Sequence, residues 1–170
     1  MDVKNARRVL LLAFLIFLVM LAAVPFVNPY GSLINLDGVP GMIDHWDIWS
    51  SRDPLTAFAY LFGDIACHQM TERSLILNGS QMAICARDYA IIAGMFAGFA
   101  ILESEAVRNR MTGRRAIYAG FILIVIAAAE WCLENWGPVD SAVLRIVTGA
   151  AAGIGAALLI NAYLERAIPG

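Results

Sequence analysis

Long apolar stretches alternate with polar, turn-rich segments along most of the chain. An α-helix needs about 20 consecutive apolar residues to cross a bilayer, and the first run, Val9–Val27, is close to that length. The alternation predicts four transmembrane helices, at about residues 9–27, 87–102, 116–136 and 142–163. The first run exceeds the ~7–15 residues of a signal-peptide apolar region, so we expect it to be retained as a helix.

A shorter apolar segment, Pro54–Ala66, lies between the first two of these helices. It has thirteen residues and contains Asp64, so a re-entrant or interfacial helix suits it better than a full crossing. Asp53 is expected to be its N-cap, with Pro54 at the first helical position.

The distribution of charge predicts the topology. The segment Glu103–Arg115 carries four arginines against two glutamates, which is typical of a cytoplasmic loop. The connection at residues 28–53 carries four aspartates and one arginine, which places it outside. Four crossings then leave both termini in the cytoplasm and put an external cap at about residues 28–86, with a tight external turn at Gly137–Asp140.

A short β-hairpin is predicted within the cap. The pair Asn78-Gly79 is favoured at the centre of a type I′ turn, because both positions need a positive φ. Counting outward from this turn sets Glu72 opposite Cys85. The hairpin should therefore bring the corner Cys67-His68-Gln69 close to Cys85–Asp88.

Composition indicates one integral membrane domain over residues 1–170. Hydrophobic residues make up 60% of the chain and charged residues 15%, and the mean hydropathy is +0.69, outside the range of soluble domains. The expected fold is an all-α, multi-pass protein of the cell membrane with an extracytoplasmic helix and a hairpin. A net charge of −2 without a basic run argues against a nucleic-acid partner. The expected partners are the lipid bilayer and other membrane-protein subunits.

The stretch Cys67–Asp88 holds two of the three cysteines and one of the two histidines, and several uses stay open for it. A disulfide between Cys67 and Cys85 suits the oxidising external side. A metal site would use Cys67, His68, Cys85 and Asp88, whose donors suit zinc or copper. Catalysis would pair Cys85 with His68, because helical neighbours such as 67 and 68 point about 100° apart. A purely structural network is the remaining alternative.

Further polar groups are expected to form a structural or polar network with this stretch. Glu130 and Glu134 lie one turn apart near the outer end of the third crossing, and either could pair with Arg145 in the fourth. Charges inside a membrane are usually paired or functional, so the alternative is a proton or ligand path. We expect these three residues to lie beneath the hairpin. The predicted network is Gln69, Glu72, Arg73, Ser74, Arg87, Glu130, Glu134 and Arg145.

The acidic connection also contains the segment Asp44–Trp49, with one histidine, His45, between carboxylates. A single histidine is a weak metal signal, whereas tryptophan is enriched at membrane boundaries. The segment is therefore interpreted as an interfacial anchor.

The chain resembles a family of small prokaryotic membrane proteins classed as a domain of unknown function, marked by Cys-His-Gln, Glu-Arg-Ser and Cys-x-Arg-Cys segments. Cys67-His68-Gln69, Glu72-Arg73-Ser74 and Cys85-Ala86-Arg87 match in order and spacing, and Arg145–Gly149 looks like the family's Arg-x-x-Thr-Gly segment. Asp88 stands where the family tends to have its second cysteine, which argues against a three-cysteine metal site. The resemblance implies a membrane topology and no established activity.

Two hypotheses of function follow. The first is a non-catalytic accessory or structural subunit of a membrane complex, whose external Cys/His site is a disulfide or a metal site. The alternative is a membrane-embedded redox protein or enzyme that acts at the outer leaflet through Cys85 and His68. The residues leave open whether the protein is an enzyme.

Overall fold

The structure is a computed structural model and describes residues 2–137 and 140–168. It is mostly helical. A 3-10 turn at Thr71–Arg73 precedes a two-stranded antiparallel hairpin of β1 (Ser74–Leu77) and β2 (Ser80–Cys85). The helices are α1 (Val3–Val27), α2 (Trp46–Trp49), α3 (Pro54–Ala66), α4 (Ala86–Leu102), α5 (Glu105–Arg110), α6 (Gly113–Trp136) and α7 (Ala142–Ala167). The chain divides into two compact units, one of residues 1–16 and 90–170 and the other of residues 17–89.

Three helices among the described residues are long and apolar enough to cross a membrane: α1, α6 and α7. The predicted helix at residues 87–102 is present as α4. Its 17 residues span about 25 Å at 1.5 Å per residue, somewhat less than the ~30 Å of a bilayer core. The external turn predicted at Gly137–Asp140 includes Pro138 and Val139, which lie outside the described residues.

Helix α1 begins at Val3, six residues before the predicted start at residue 9. A physical reason is that the charge of Arg7, in the second turn, is buried and paired rather than solvated. Arg7 is only 3% exposed, and its Nε donates to Oε1 of Glu103 at 2.7 Å while Nη1 donates to Oδ1 of Asn161 at 3.3 Å. The helix can therefore extend through residues that a hydropathy pattern assigns to the flank.

Helix α3 has the bounds predicted from the sequence, because both of its start signals are local. Oδ1 of Asp53 accepts hydrogen bonds from the backbone N–H groups of Leu55 and Thr56, each at 3.0 Å. Pro54 follows at the first helical position, where a missing N–H costs no hydrogen bond. The pKa of Asp53 is lowered, chiefly by a hydrogen bond from the Thr56 side chain and then by the bond from the Thr56 backbone N–H.

The predicted hairpin is also present, but its register differs from the prediction at the open end. Asn78 and Gly79 have φ values of 50° and 67°, as a type I′ turn requires. Ser74, rather than Glu72, lies opposite Cys85, because the pairing shifts between Ser74 and Ile76. This β-bulge places extra residues of β2 against one of β1. Counting outward from the turn could not reveal it.

Helices of the unit formed by residues 1–16 and 90–170 approach closely at glycines. A Cβ atom built on Gly94 of α4 would lie 2.9 Å from the Cα of Ala150 in α7. A Cβ on Gly155 of α7 would similarly meet Leu123 of α6 at 3.1 Å. Small residues at such positions let helix backbones pack inside a membrane. These glycines therefore serve packing within the chain.

Candidate functional site

The end of α3 and the junction of β2 with α4 bring two cysteines and an aspartate together. Cys67 is the C-cap of α3, Cys85 ends β2, and Asp88 lies in the first turn of α4. Sγ of Cys67 accepts a hydrogen bond from the backbone N–H of Cys85 at 3.3 Å, and the Cys85 thiol donates to Oδ2 of Asp88 at 3.2 Å. The Sγ atoms and the carboxylate oxygen all lie within 4.8 Å of one another. The convergence of Cys67 with Cys85, predicted from the hairpin, is confirmed.

The two thiols of this group differ in acidity. A hydrogen bond with Cys85 and burial raise the pKa of Cys67, whose side chain is 4% exposed. The pKa of Cys85 is lowered, chiefly because the Cys67 thiol donates a hydrogen bond to it. Cys85 is therefore the sulfur that ionises first. Both cysteines, like Cys132 on α6, are free thiols in this structure, so the disulfide considered from the sequence is not formed.

His68, the fourth residue of the predicted metal site, is not part of this group. Its side chain is exposed, and its backbone carbonyl accepts a hydrogen bond from Gly38 at 2.9 Å. The part of the chain that the structure describes thus supplies three clustered donors, namely the Cys67 and Cys85 sulfurs and the Asp88 carboxylate.

A buried amide network underlies the two cysteines. Nε2 of Gln69 donates to the backbone carbonyls of Tyr60 at 3.2 Å and Ala83 at 2.7 Å. Nε2 of Gln81 in turn donates to the backbone carbonyl of Gln69. Both glutamines are at most 1% exposed. Gly63 makes this packing feasible, because a Cβ there would lie 2.9 Å from the carbonyl carbon of Ala83.

The remaining cap residues of the predicted network lie on the segments next to this group. Glu72 and Arg73 belong to the 3-10 turn, and the Ser74 hydroxyl donates to the backbone carbonyl of Met70 at 2.8 Å. Arg87 lies in the first turn of α4 and is half-buried.

A second buried cluster was not predicted from the sequence. The Asp64 carboxylate, 3% exposed, accepts hydrogen bonds from Nε1 of Trp49 at 2.8 Å and from the backbone N–H of His45 at 3.3 Å. Nδ1 of His45 lies 3.4 Å from Oδ1 of Asp64. Trp49 stacks on Tyr60, with ring centroids 4.9 Å apart. The signal for this cluster in the sequence was Asp64 itself, because a carboxylate buried in an apolar helix needs hydrogen-bond donors around it.

The C-terminal end of α6 and the N-terminal end of α7 hold the ion pair predicted from their sequence. Arg145 forms ion pairs with Glu134 and Asp140. The Thr148 hydroxyl lies 3.0 Å from Oε2 of Glu130 and 2.7 Å from the backbone carbonyl of Leu144. The Arg-x-x-Thr spacing thus places Arg145 beside Glu134 and Thr148 beside Glu130. These residues belong to the unit of residues 1–16 and 90–170, and their placement beneath the hairpin stays a prediction.

The chemistry of the clustered donors suits a metal ion. Thiolate sulfur and carboxylate oxygen are ligands of zinc, and thiolates also bind copper. A tetrahedral zinc site with bonds of about 2.3 Å separates its sulfur ligands by roughly 3.8 Å, so donors within 4.8 Å need only a small closing movement. Three protein donors would leave one position for water or another ligand.

Comparison with known proteins identifies the family. The family described as "Predicted membrane protein (DUF2085)" matches residues 67–159. The uncharacterized protein MJ1492 of Methanocaldococcus jannaschii is 28% identical over 98 residues, which cover 58% of this chain and 53% of the relative. The match thus spans about half the length of that relative. No solved structure matches the chain. Because the matching stretch covers more than half of the chain, this protein belongs to the DUF2085 family of membrane proteins.

Proposed function

We propose that this protein binds a zinc or copper ion through Cys67, Cys85 and Asp88 and serves as a non-catalytic accessory subunit of a membrane complex. The observation that carries the proposal is the clustering of the three donor atoms within 4.8 Å. Surface acidic groups often cluster by chance, but here one sulfur is buried and hydrogen-bonded to the strand that carries the other. Such preorganisation is expected of a binding site.

The proposal includes the topology. We propose that α4 is the fourth crossing, with α1, α6 and α7, and that both termini face the cytoplasm. The arginines of the segment 103–115 and the aspartates of the segment 28–53 support this orientation by the positive-inside rule. Reporter fusions in the hairpin and at residues 103–115 test this orientation. We expect the hairpin reporter to be external and the reporter at residues 103–115 to be cytoplasmic. A cytoplasmic hairpin would contradict it.

A non-catalytic role is supported by the burial of Cys67. At 4% exposure its sulfur has little access to a substrate, whereas a bound ion needs only the small movement described above. The ion would tie the end of α3 to the start of α4. A bound ion would contribute to folding, because its ligands come together only in the folded chain, and would present a rigid cap to partner subunits.

A dithiol redox protein is the second candidate, and the lowered pKa of Cys85 favours it. A thiolate attacks disulfides far faster than a thiol does. In that function the Cys85 thiolate would attack a partner disulfide and form a mixed disulfide with one of its sulfurs. Cys67 would then attack the Cys85 sulfur of this mixed disulfide and release the partner. The Cys67–Cys85 bond would form as the partner leaves with two reduced thiols.

Elemental analysis combined with a thiol count separates these functions. We expect about one zinc or copper ion per purified chain, with loss of the ion in Cys85→Ser and weaker binding in Asp88→Asn. Cys132→Ser is the matched control, because that cysteine lies outside the donor group, and it should keep the metal. A metal-free protein whose Cys67 and Cys85 react with an alkylating reagent only after reduction would refute the metal site and support the redox function.

The subunit role has its own test. Cross-linking of the membrane-embedded protein, followed by mild solubilisation, should recover a partner membrane protein in fixed stoichiometry. A Cys85→Ser variant should recover less of that partner if the metal shapes the cap. A wild-type protein recovered only as a monomer would count against the subunit role.

A further inference from the structure

The two cysteines of the proposed site belong to separate segments, and their spacing must be set by contacts between α3 and β2. Cys67 follows the last residue of α3, and Cys85 is the last residue of β2. In the primary sequence 18 positions separate them. A residue that joins the two segments near both sulfurs would therefore control the geometry of the site.

Gln69 makes that connection. It lies two residues after Cys67, and its Nε2 donates to the carbonyl of Ala83, two residues before Cys85, at 2.7 Å. The same nitrogen donates to the carbonyl of Tyr60 in α3 at 3.2 Å. One side-chain amide thus joins the interior of α3, the corner after it and the strand that carries the second thiol.

The orientation of this amide is determined by its surroundings. Its nitrogen faces two carbonyl oxygens, which can only accept hydrogen bonds, so the opposite flip would place oxygen against oxygen. The carbonyl of Gln69 itself accepts from Nε2 of Gln81, whose Oε1 lies 3.0 Å from the Thr71 hydroxyl. The two glutamines therefore hold each other in place.

The backbone at Gln69 indicates the same role. Its φ of 47° lies in the left-handed region, where residues other than glycine and asparagine are uncommon. Such a conformation persists where surrounding contacts over-determine it. Glycine or asparagine would suit this backbone better, but neither has a side chain that reaches both segments as glutamine does.

We propose that Gln69 is the positioning residue of the Cys67–Cys85 pair, and that its amide sets the distance between the two sulfurs. This inference rests on the proposed site but not on the identity of the ion. It assigns the glutamine of the Cys-His-Gln segment a role that is separate from metal ligation. Without the Gln69 amide, the distance between the two sulfurs would vary more. The thiols would then be less well placed to share a metal ion or to form a disulfide.

The test uses the full-length protein in detergent with two variants. Gln69→Asn keeps an amide and suits the left-handed backbone but is one methylene shorter, and Gln69→Met keeps the length without the donor. Tyr60→Phe is the matched control, because it removes a buried hydrogen bond to the Gln81 carbonyl in the same cap and leaves the Gln69 amide intact. Thermal unfolding measures the structural cost of all three.

Two readouts report the spacing of the sulfurs. Titration with Co²⁺, followed by its thiolate absorption, gives metal affinity. Equilibration with glutathione gives the tendency of the two thiols to form a disulfide while one glutathione disulfide is reduced to two glutathione thiols. We expect both Gln69 variants to weaken Co²⁺ binding by about 10- to 100-fold, as loss of an outer-shell partner does, and to lower disulfide formation similarly. Tyr60→Phe should change either value less than threefold, on the order of the smallest hydrogen-bond effects.

The outcomes separate this inference from the proposed function. Equal effects of the Gln69 variants and Tyr60→Phe on both readouts would overturn the positioning role, because a general loss of stability would then explain them. A wild-type protein that binds no Co²⁺ would refute the metal site, and the glutathione equilibrium would still decide the role of Gln69. If Gln69→Met fails to fold, Gln69→Asn provides the decisive comparison.

Discussion

Replacing Gly63 by alanine tests the close packing on which the candidate site depends. Gly63 lies on the face of α3 that packs on β2, where an added Cβ would be 2.9 Å from the carbonyl carbon of Ala83 and nearer still to its oxygen and to Nε2 of Gln69. The optimal van der Waals separation of two non-bonded carbon atoms is about 3.5–4.0 Å. The contact with the carbonyl carbon alone requires helix and strand to separate by roughly 0.6–1.1 Å, and the nearer oxygen requires more.

The free-energy cost follows from the contacts that this separation breaks. The hydrogen bond between Gln69 and the Ala83 carbonyl, 2.7 Å long, would be lost. A buried group left unsatisfied costs about 1–3 kcal/mol, and the forced expansion of a packed interior costs about 1–3 kcal/mol. The higher helix propensity of alanine relative to glycine stabilises the folded protein by only about 1 kcal/mol. The steric cost therefore exceeds the gain in helix propensity, and we expect the free energy of unfolding to fall by about 1–5 kcal/mol.

The assay combines stability with the exposure of one thiol. In a Cys85→Ser, Cys132→Ser background, Cys67 is the single cysteine, so its alkylation rate reports opening of the cap. Gly63→Ala should lower the unfolding temperature and speed alkylation. Ala57→Gly in the same helix is the control and should cost only about 0.5–1 kcal/mol. A Gly63→Ala protein within about 0.5 kcal/mol of wild type, with Cys67 equally protected, would show that the packing argument is mistaken.

Two further predictions concern the ion pairs of the other unit. Arg145→Leu leaves the Glu134 carboxylate without its arginine in a buried setting and should cost about 3–5 kcal/mol in thermal or denaturant unfolding. Adding Glu134→Leu should recover part of that loss, and no recovery would contradict a direct pair. Arg7 and then Arg8 lower the pKa of Glu103 from its usual 4.5, so this stabilisation is fully present above pH ~4.5 and is lost as pH falls through the lowered pKa. Glu103→Gln should flatten the acid limb of the stability profile, and an unchanged limb would rule out this contribution.

Local signals in the sequence were sufficient for several elements. Asp53-Pro54 determines where α3 starts, and Asn78-Gly79 determines where the hairpin turns, because capping and positive φ depend on a few neighbouring residues. The pairing of Arg145 with Glu134 could also be predicted, because a charge in an apolar helix needs an opposite charge nearby. Each of these features depends on one chemical requirement that few residues can meet.

Other features were decided only by the tertiary structure. Pairing along the hairpin shifts between Ser74 and Ile76, and this bulge replaced the predicted partner of Cys85. His68 and Asp88 were both predicted to lie beside the cysteines, but only Asp88 joins them, because it follows β2 directly in the first turn of α4. The sequence by itself thus determined the long apolar helices, the short helix α3 and the turn, because hydropathy and backbone preference act over short distances. The tertiary structure decided the donor set and the Gln69 contacts, because these depend on side chains meeting across segments distant in sequence.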